Sequence, residues 1–497
     1  MNGRLALQER MMKIAMVSPE IVPFAKTGGL ADVVGTLSTA LGQYGHEMTL
    51  IMPAHRTVLQ GGFALEDTGM RFSVPLANRQ EEASVLRARA GSNVCVYCIR
   101  ADRYFDREYL YGTPAGDYPD NAERFVFFSR AALEILKHEP VELLHCHDWQ
   151  SAPAIVFVKA QPERYAELHA LKTVFTVHNL GFQGIFPPSD WPLLNLDWSL
   201  FTPQHLEFYG NINFLKGALV VADKITTVSP SYAREIIEID QGFGLDGVLR
   251  DRQRDIVGIL NGVDYSQWNP QNDPHIAKQY GAATLAAKQN CKKALQRIFA
   301  LPQQSDLPIL GMISRLTSQK GLDLIETILD PLMQSNLQMT ILGSGEPRYE
   351  ELFNAAAARY RQKIAARIGI FDEPLAHQIE AGADFFLMPS RYEPCGLNQM
   401  FSLKYGTIPI VRAIGGLKDT VEDYDAERGT GTGFVFSSYE PQALLGAIDR
   451  GLQVFRDKRA WTALRRRAMA KDFSWDRSAR MYDELYGNLL TGSSKTN

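Results

Sequence analysis

Short apolar runs that alternate with amphipathic stretches constrain this chain more than any other feature. Ile14-Ala-Met-Val17 reads as a strand, Ser18 to Gly29 as a loop, and about Leu30 to Tyr44 as a helix. Glu47–Met52 reads as the next strand, which completes a βαβ unit. Similar strands recur at Val94–Ile99, Leu143–Cys146, Thr173–Val177 and Lys224–Val228, with helical stretches such as Asn121–Lys137 and Tyr232–Ile239 between them. A second series follows Asn261-Gly-Val-Asp264, with strands at Ile309–Ile313, Gln338–Leu342, Ile364–Ile370, Phe385–Met388, Ile408–Val411 and Gly433–Phe436. Strand–helix alternation predicts parallel sheets covered by helices on both faces. Two series predict an α/β chain of two doubly wound domains, meeting near Gly258 to Asp264, each binding ligands at the C-terminal ends of its strands.

The length of 497 residues suits two or three domains at roughly 150 residues each. With 52 Lys+Arg against 56 Asp+Glu the net charge is −4, which argues against a polybasic nucleic-acid binder but leaves room for a local anion site. No apolar run approaches the roughly 20 residues needed to span a bilayer, so neither nucleic acid nor membrane is expected as a partner. Five cysteines, an odd and small number, suit a reducing cytosol. Cys95-Val-Tyr-Cys98 sits in an apolar run that reads as a buried strand, and no second C-x-x-C completes a zinc site. Met1 to Arg10 has neither a signal peptide's apolar core nor a transit peptide's length.

Two loops echo each other. Gly28-Gly29-Leu30-Ala31-Asp32 and Gly415-Gly416-Leu417-Lys418-Asp419 each follow a strand and open a helix. Such pairs leave backbone N–H groups open to an anion at a helix N-terminus, although they are also ordinary turn chemistry. Lys26 precedes the first pair, either as a phosphate ligand or as a solvated lysine.

Several strand tips carry chemistry. His145-Cys-His147-Asp148-Trp149 suggests a metal, but neighbouring strand side chains point to opposite faces. Asp148 fits better as a helix N-cap or a hydroxyl acceptor. His178-Asn179-Leu-Gly-Phe-Gln183-Gly184 places a histidine where a substrate hydroxyl or a developing cation would lie, or where it simply bonds backbone. Ser314-Arg315-Leu-Thr-Ser-Gln-Lys320-Gly321 sets two cations on a loop entering a helix, against the helix dipole. A departing diphosphate would need such a pair. Gly343-Ser-Gly345 lacks the third glycine of a dinucleotide fingerprint, since position 348 is Arg348. Glu393-Pro-Cys395-Gly396-Leu397 offers a carboxylate to a sugar and backbone N–H groups to phosphate, or only a helix-start charge.

Taken in order, Lys-Thr-Gly-Gly-Leu-Ala-Asp, His-Asp-Trp, Val-His-Asn-Leu-Gly-Phe-Gln-Gly, Ser-Arg-Leu-Thr-Ser-Gln-Lys-Gly and Glu-Pro-Cys-Gly-Leu resemble bacterial glycogen synthase and plant starch synthase, from Lys13 to about Tyr486. The resemblance implies a glycosyltransferase B fold: Rossmann-like domains at 1–257 and 258–475, the last helix (476–497) returning to the first, and an active-site cleft between them. It implies retaining transfer of glucose from ADP-glucose to the 4-hydroxyl of an α-1,4-glucan, in the bacterial cytosol, with no metal and no cofactor. By motif match, His178, Glu393, Arg315 and Lys320 would be catalytic. Lys26, Gly28, Gly29, Asp32, Tyr111, Asp148, Asn179, Gln183, Phe371, Cys395, Gly396, Leu397, Gly415 and Gly416 would bind substrate, Phe371 by stacking on adenine. The chain departs from the family at Ile414, where a threonine is usual, and in Gly369-Ile370-Phe371-Asp372.

Retention by double displacement would use Glu393 as nucleophile. A front-face process, in which the leaving phosphate takes the acceptor's proton, is the better expectation, because the site signals gather around the diphosphate and no second carboxylate pairs with Glu393. A phosphorylase, a UDP-glucose or other-sugar transferase, and a non-catalytic glucan-binding protein are the alternatives.

Overall fold

A computed structural model describes residues 10–113, 116–369 and 372–492. It divides into two units. The first holds the chain up to Val228, Ala233–Ile259 and the chain from Trp475; the second holds Ser229–Tyr232 and Leu260–Ser474.

Among the described residues the first unit carries a nine-stranded sheet. From edge to edge its strands are Ile256–Gly258, Lys224–Thr227, Lys172–Val177, Leu143–His147, Lys13–Val17, Glu47–Pro53, Val94–Arg100, Arg79–Arg89 and Glu66–Leu76. The first seven pair parallel, as the alternation predicts. The last two form an antiparallel hairpin on the Val94–Arg100 edge, which the sequence reading did not anticipate. Its connection bends at Ala77, a non-glycine residue with φ +54°, so the usual Asn-Gly turn signal is missing. The helix read at Tyr232–Ile239 is shorter, Pro230–Glu235.

Apolar alternation builds this core: Ile14, Met16, Leu50, Met52 and Val96 are buried with Val33, Val34 and Leu37 of the helix Gly29–Gln43. Each such side chain contributes on the order of 1.5–3 kcal/mol by leaving water. The helix Trp475–Thr491 packs here through Trp475, Tyr482 and Tyr486. Its polar contacts are specific: Tyr44 Oη donates to Asp476 O at 3.1 Å, and His46 Nε2 lies 2.9 Å from Asp483 Oδ1.

Among the described residues the second unit carries a six-stranded parallel sheet in the order Ile364–Ile368, Gln338–Gly345, Ile309–Leu316, Phe385–Met388, Ile408–Arg412, Phe434–Phe436. Consecutive strand residues enter opposite cores. Leu310 and Met312 pack into one cluster, Ile309 and Ile313 into the other. Burial on both faces explains why these strands read as continuous apolar runs.

Among the parallel strands of each of these two sheets, strand order reverses once. In the first unit Lys13–Val17 and Leu143–His147 are neighbours from which the chain winds away in both directions; in the second, Ile309–Leu316 and Phe385–Met388 are. Loops leaving such strands diverge and open a crevice at their C-terminal ends. The segments that leave these four strands carry Gly28, Asp148, Lys320 and Glu393. Among the described residues no helix is long and apolar enough to cross a membrane.

Candidate active site

In the first unit, the chain leaves Val17, turns through Ser18 to Thr27, and starts the helix at Gly29 with Gly28 as an extended N-cap. No side chain caps this helix, so its first N–H groups keep their capacity for an anion. Lys26 Nζ lies 2.8 Å from Asp32 Oδ1 in a partly exposed ion pair. Thr27 is anchored from below by a residue the sequence reading passed over. Glu20, only 3% exposed, accepts the Thr27 backbone N–H and, at 3.0 and 2.9 Å, the Thr27 hydroxyl. Burial pushes the Glu20 carboxyl up to about 7, against the Thr27 hydrogen bonds. The sequence signal was a carboxylate three residues past a strand tip, within reach of a Gly-Gly loop.

The buried Tyr111 hydroxyl faces both Glu20 and Asp148, and burial first, then these two carboxyls, raise it well above an ordinary phenol. Asp148 corrects an expectation. It is not the N-cap, which is His147, but the first residue of the helix Asp148–Ala160, at φ +56°. Its Oδ1 accepts the His178 backbone N–H at 2.7 Å. Burial pushes this carboxyl up to about 7, opposed by the N–H groups of His178 and Asn179.

His178 follows the strand Lys172–Val177 and is half-buried. Its Nε2 meets His147 Nδ1 at 3.0 Å, so its partner is another imidazole as well as backbone. Burial drops its pKa to about 3, which keeps the ring neutral. Asn179 Oδ1 accepts the Gly181 N–H at 3.0 Å and shapes the turn. Gln183 is committed at both ends, to Phe243 O at 3.1 Å and Asn213 Nδ2 at 2.6 Å. Gly184, at φ +64°, lies against Trp149, where a Cβ would come within 2.5 Å of the indole.

In the second unit the strand Ile309–Leu316 is longer than predicted, so Arg315 sits on the strand end rather than on a loop, and it is exposed. Lys320 ends the short 3₁₀ turn Ser318–Lys320. Gly321, at φ +70°, allows that turn to approach the Phe385–Met388 strand end, because a Cβ there would lie 2.0 Å from Pro389 O. The close approach brings Lys320 Nζ within 2.7 and 3.0 Å of the two Glu393 oxygens. Ser390 Oγ donates to Glu393 Oε2 at 2.8 Å, and Glu393 is 5% exposed.

The second Gly-Gly loop is packed differently from the first. The Gly416 N–H, read as open to an anion, donates to Glu393 O at 3.1 Å. A Cβ on Gly415 would fall 2.0 Å from Glu393 O, and one on Gly416 2.1 Å from Cys395 O. The glycines are small so that the helix Gly415–Thr420 can press on the Glu393–Cys395 backbone. The two loops therefore share a sequence and differ in packing, since a Cβ on Gly28 meets nothing within 4 Å. The helix Asn398–Tyr405 starts after Gly396 (φ +71°) and Leu397 with no side-chain cap, which leaves its first N–H groups for an anion. Phe371 lies outside the described residues. Among the described residues no group of three or more His, Cys, Asp or Glu side chains is arranged to hold a metal.

Residues 13–251 match the family described as starch synthase catalytic domain, and residues 296–462 match glycosyl transferases group 1. The glycogen synthase of Koribacter versatilis is 48% identical over 479 residues, covering 96% of this chain and 98% of that protein. The glycogen synthase of Moorella thermoacetica is 46% identical over 483 residues, covering 96% and 97%. Among solved structures, the catalytic domain of starch synthase IV from Arabidopsis thaliana, bound to ADP and acarbose, superposes with a TM-score of 0.88 at 31% identity, covering 97% of this chain and all of that one. Sucrose-phosphate synthase from Thermosynechococcus elongatus shares the fold, with a TM-score of 0.60 at 18% identity. Two largely parallel, doubly wound α/β sheets, and 46–48% identity to these glycogen synthases over 96% of the chain, place the chain in the glycogen and starch synthase family, with the glycosyltransferase B fold.

Proposed function

We propose that this protein is a glycogen synthase, which transfers glucose from ADP-glucose to the non-reducing-end 4-hydroxyl of an α-1,4-glucan, with retention and release of ADP. The observation that carries this reading is the Lys320–Glu393 pair at the strand-order reversal of the second sheet. Breaking a glucosyl–phosphate bond creates a cationic sugar carbon and a diphosphate anion, so it needs a cation for one and a carboxylate near the other. Arg315, Lys320 and the uncapped helix start after Leu397 serve the diphosphate. Glu393 and His178 serve the sugar. Lys26 and the Gly28-Gly29 loop meet the nucleotide sugar, and Tyr111 and Asp148 the glucose and acceptor. That the Arabidopsis structure binds ADP and acarbose supports both substrate classes.

A front-face process fits the geometry better than a glucosyl-enzyme. Both Glu393 oxygens are engaged by Lys320, and Oε2 also by Ser390, which lowers the carboxylate's readiness to attack carbon. The cysteines are all unpaired, which fits the bacterial cytosol. The test compares ADP-glucose with UDP-glucose on the purified protein, with glycogen as acceptor. ADP-glucose is expected to be the better donor. Faster transfer from UDP-glucose would overturn the donor assignment, and transfer from neither would overturn the activity.

A further inference from the structure

We propose that His147 is a positioning residue that sets the tautomer of His178, holding the His178 proton on Nδ1 and so making that nitrogen a hydrogen-bond donor to the transferred sugar. The inference rests on the reading of His178 as a sugar-side group. His147 Nδ1 and His178 Nε2 are 3.0 Å apart. Two neutral imidazole nitrogens at that distance share one proton, so one ring donates and the other accepts.

The choice is decided at the far side of His147. Its Nε2 is buried and has no hydrogen-bond partner. If His178 donated from Nε2, His147 would carry its own proton on Nε2, leaving a buried N–H with no acceptor. If His147 donates from Nδ1, its Nε2 is a bare nitrogen. An orphaned buried N–H is the rarer and costlier of the two. The neighbouring His145 cannot relieve it: its ring lies over His147 with centroids 4.0 Å apart and the planes tilted by 34°. Both His145 nitrogens are taken, Nδ1 by Tyr486 Oη at 2.7 Å and Nε2 by Thr176 Oγ1 at 2.5 Å. A charged pair is disfavoured as well, since burial pushes all three histidines below the usual imidazole range.

His178 is then fixed twice. Its backbone N–H is held by Asp148 Oδ1 at 2.7 Å, and its ring by His147. The remaining ring nitrogen, Nδ1, carries a proton without carrying a charge. A neutral donor can grip a sugar hydroxyl beside a carbon that is becoming positive, where an imidazolium would oppose the reaction.

The test is two-bond ¹⁵N–¹H correlation on the full chain labelled with ¹⁵N-histidine at neutral pH, with His178 and His147 assigned by the spectra of single variants. Both rings are expected as neutral Nδ1–H tautomers. His147→Asn, whose amide can replace the Nδ1 donor, should keep His178 in that form, whereas His147→Phe should release it. Turnover should fall about ten- to hundredfold in His147→Phe, with partial recovery in His147→Asn. A wild-type His178 with its proton on Nε2, or on both nitrogens, overturns the proposal, and this spectrum suffices even if His147→Phe fails to fold. An Nδ1–H His178 in a protein that does not use ADP-glucose would leave the tautomer standing and sink the proposed function instead.

Discussion

Lys320 Nζ lies within 2.7 and 3.0 Å of both carboxylate oxygens of Glu393, although the two residues are 73 apart in sequence. The contact joins two strand tips at the reversal point of the second sheet, and Gly321 permits it. Lys320→Ala and Arg315→Ala are each expected to lower turnover by about 10²-fold or more, the scale of losing one transition-state donor. Initial rates of ADP release check this, and near-normal rates in both variants would remove the diphosphate assignment.

The two Gly-Gly loops should respond oppositely to a methyl group. Gly28 is extended and open, so Gly28→Ala should change stability by less than about 0.5 kcal/mol. Gly416→Ala drives a Cβ to 2.1 Å from Cys395 O, and Gly415→Ala adds a strained φ of +46°. Each should destabilise by about 2 kcal/mol or more. Urea unfolding of the three variants decides; equal losses at Gly28 and Gly416 would contradict the packing difference.

Glu20 predicts a pH dependence of stability. Its carboxyl is raised to about 7 in the folded chain, so between the ordinary carboxylate range and about 7 the folded state binds more protons than the unfolded one. Stability from this group is therefore present at low pH and lost as pH rises through about 7. The groups around it are Thr27, Tyr111, Asp32 and Asp148, and Asp148, raised to about 7 as well, adds to the same window. Glu20→Gln cannot titrate. Between pH 5 and pH 8 its stability relative to wild type should improve by on the order of 1–3 kcal/mol. A relative stability that stays constant with pH would show that the Glu20 carboxyl is not raised.

Much of the fold was legible because buried parallel strands are continuous apolar runs, as Leu310 and Ile313 serving opposite cores illustrate. The hairpin Glu66–Leu76/Arg79–Arg89 was not, because charged residues break its alternation and its turn lacks glycine. Motif spacing picked out the candidate site residues singly. It could not show that Lys320 and Glu393 pair, that Asp148 holds the His178 backbone, or that Gly416 gives its N–H to Glu393, since each contact joins segments brought together only by the sheet. Glu20 was missed because a lone loop carboxylate has no pattern until burial and Thr27 single it out.

The front-face process excludes a glucosyl-enzyme. Rapid quench during turnover followed by mass spectrometry should find Glu393 unmodified. A peptide carrying one hexose on Glu393 would establish double displacement.

The most direct measurement follows ADP-glucose and a maltooligosaccharide acceptor by proton NMR with the purified protein. Glucosyl transfer with retention predicts that the donor's anomeric signal declines as an α-1,4 signal and ADP grow in equal amounts. Release of free glucose without a new linkage, a β-linked product, or no reaction would contradict it.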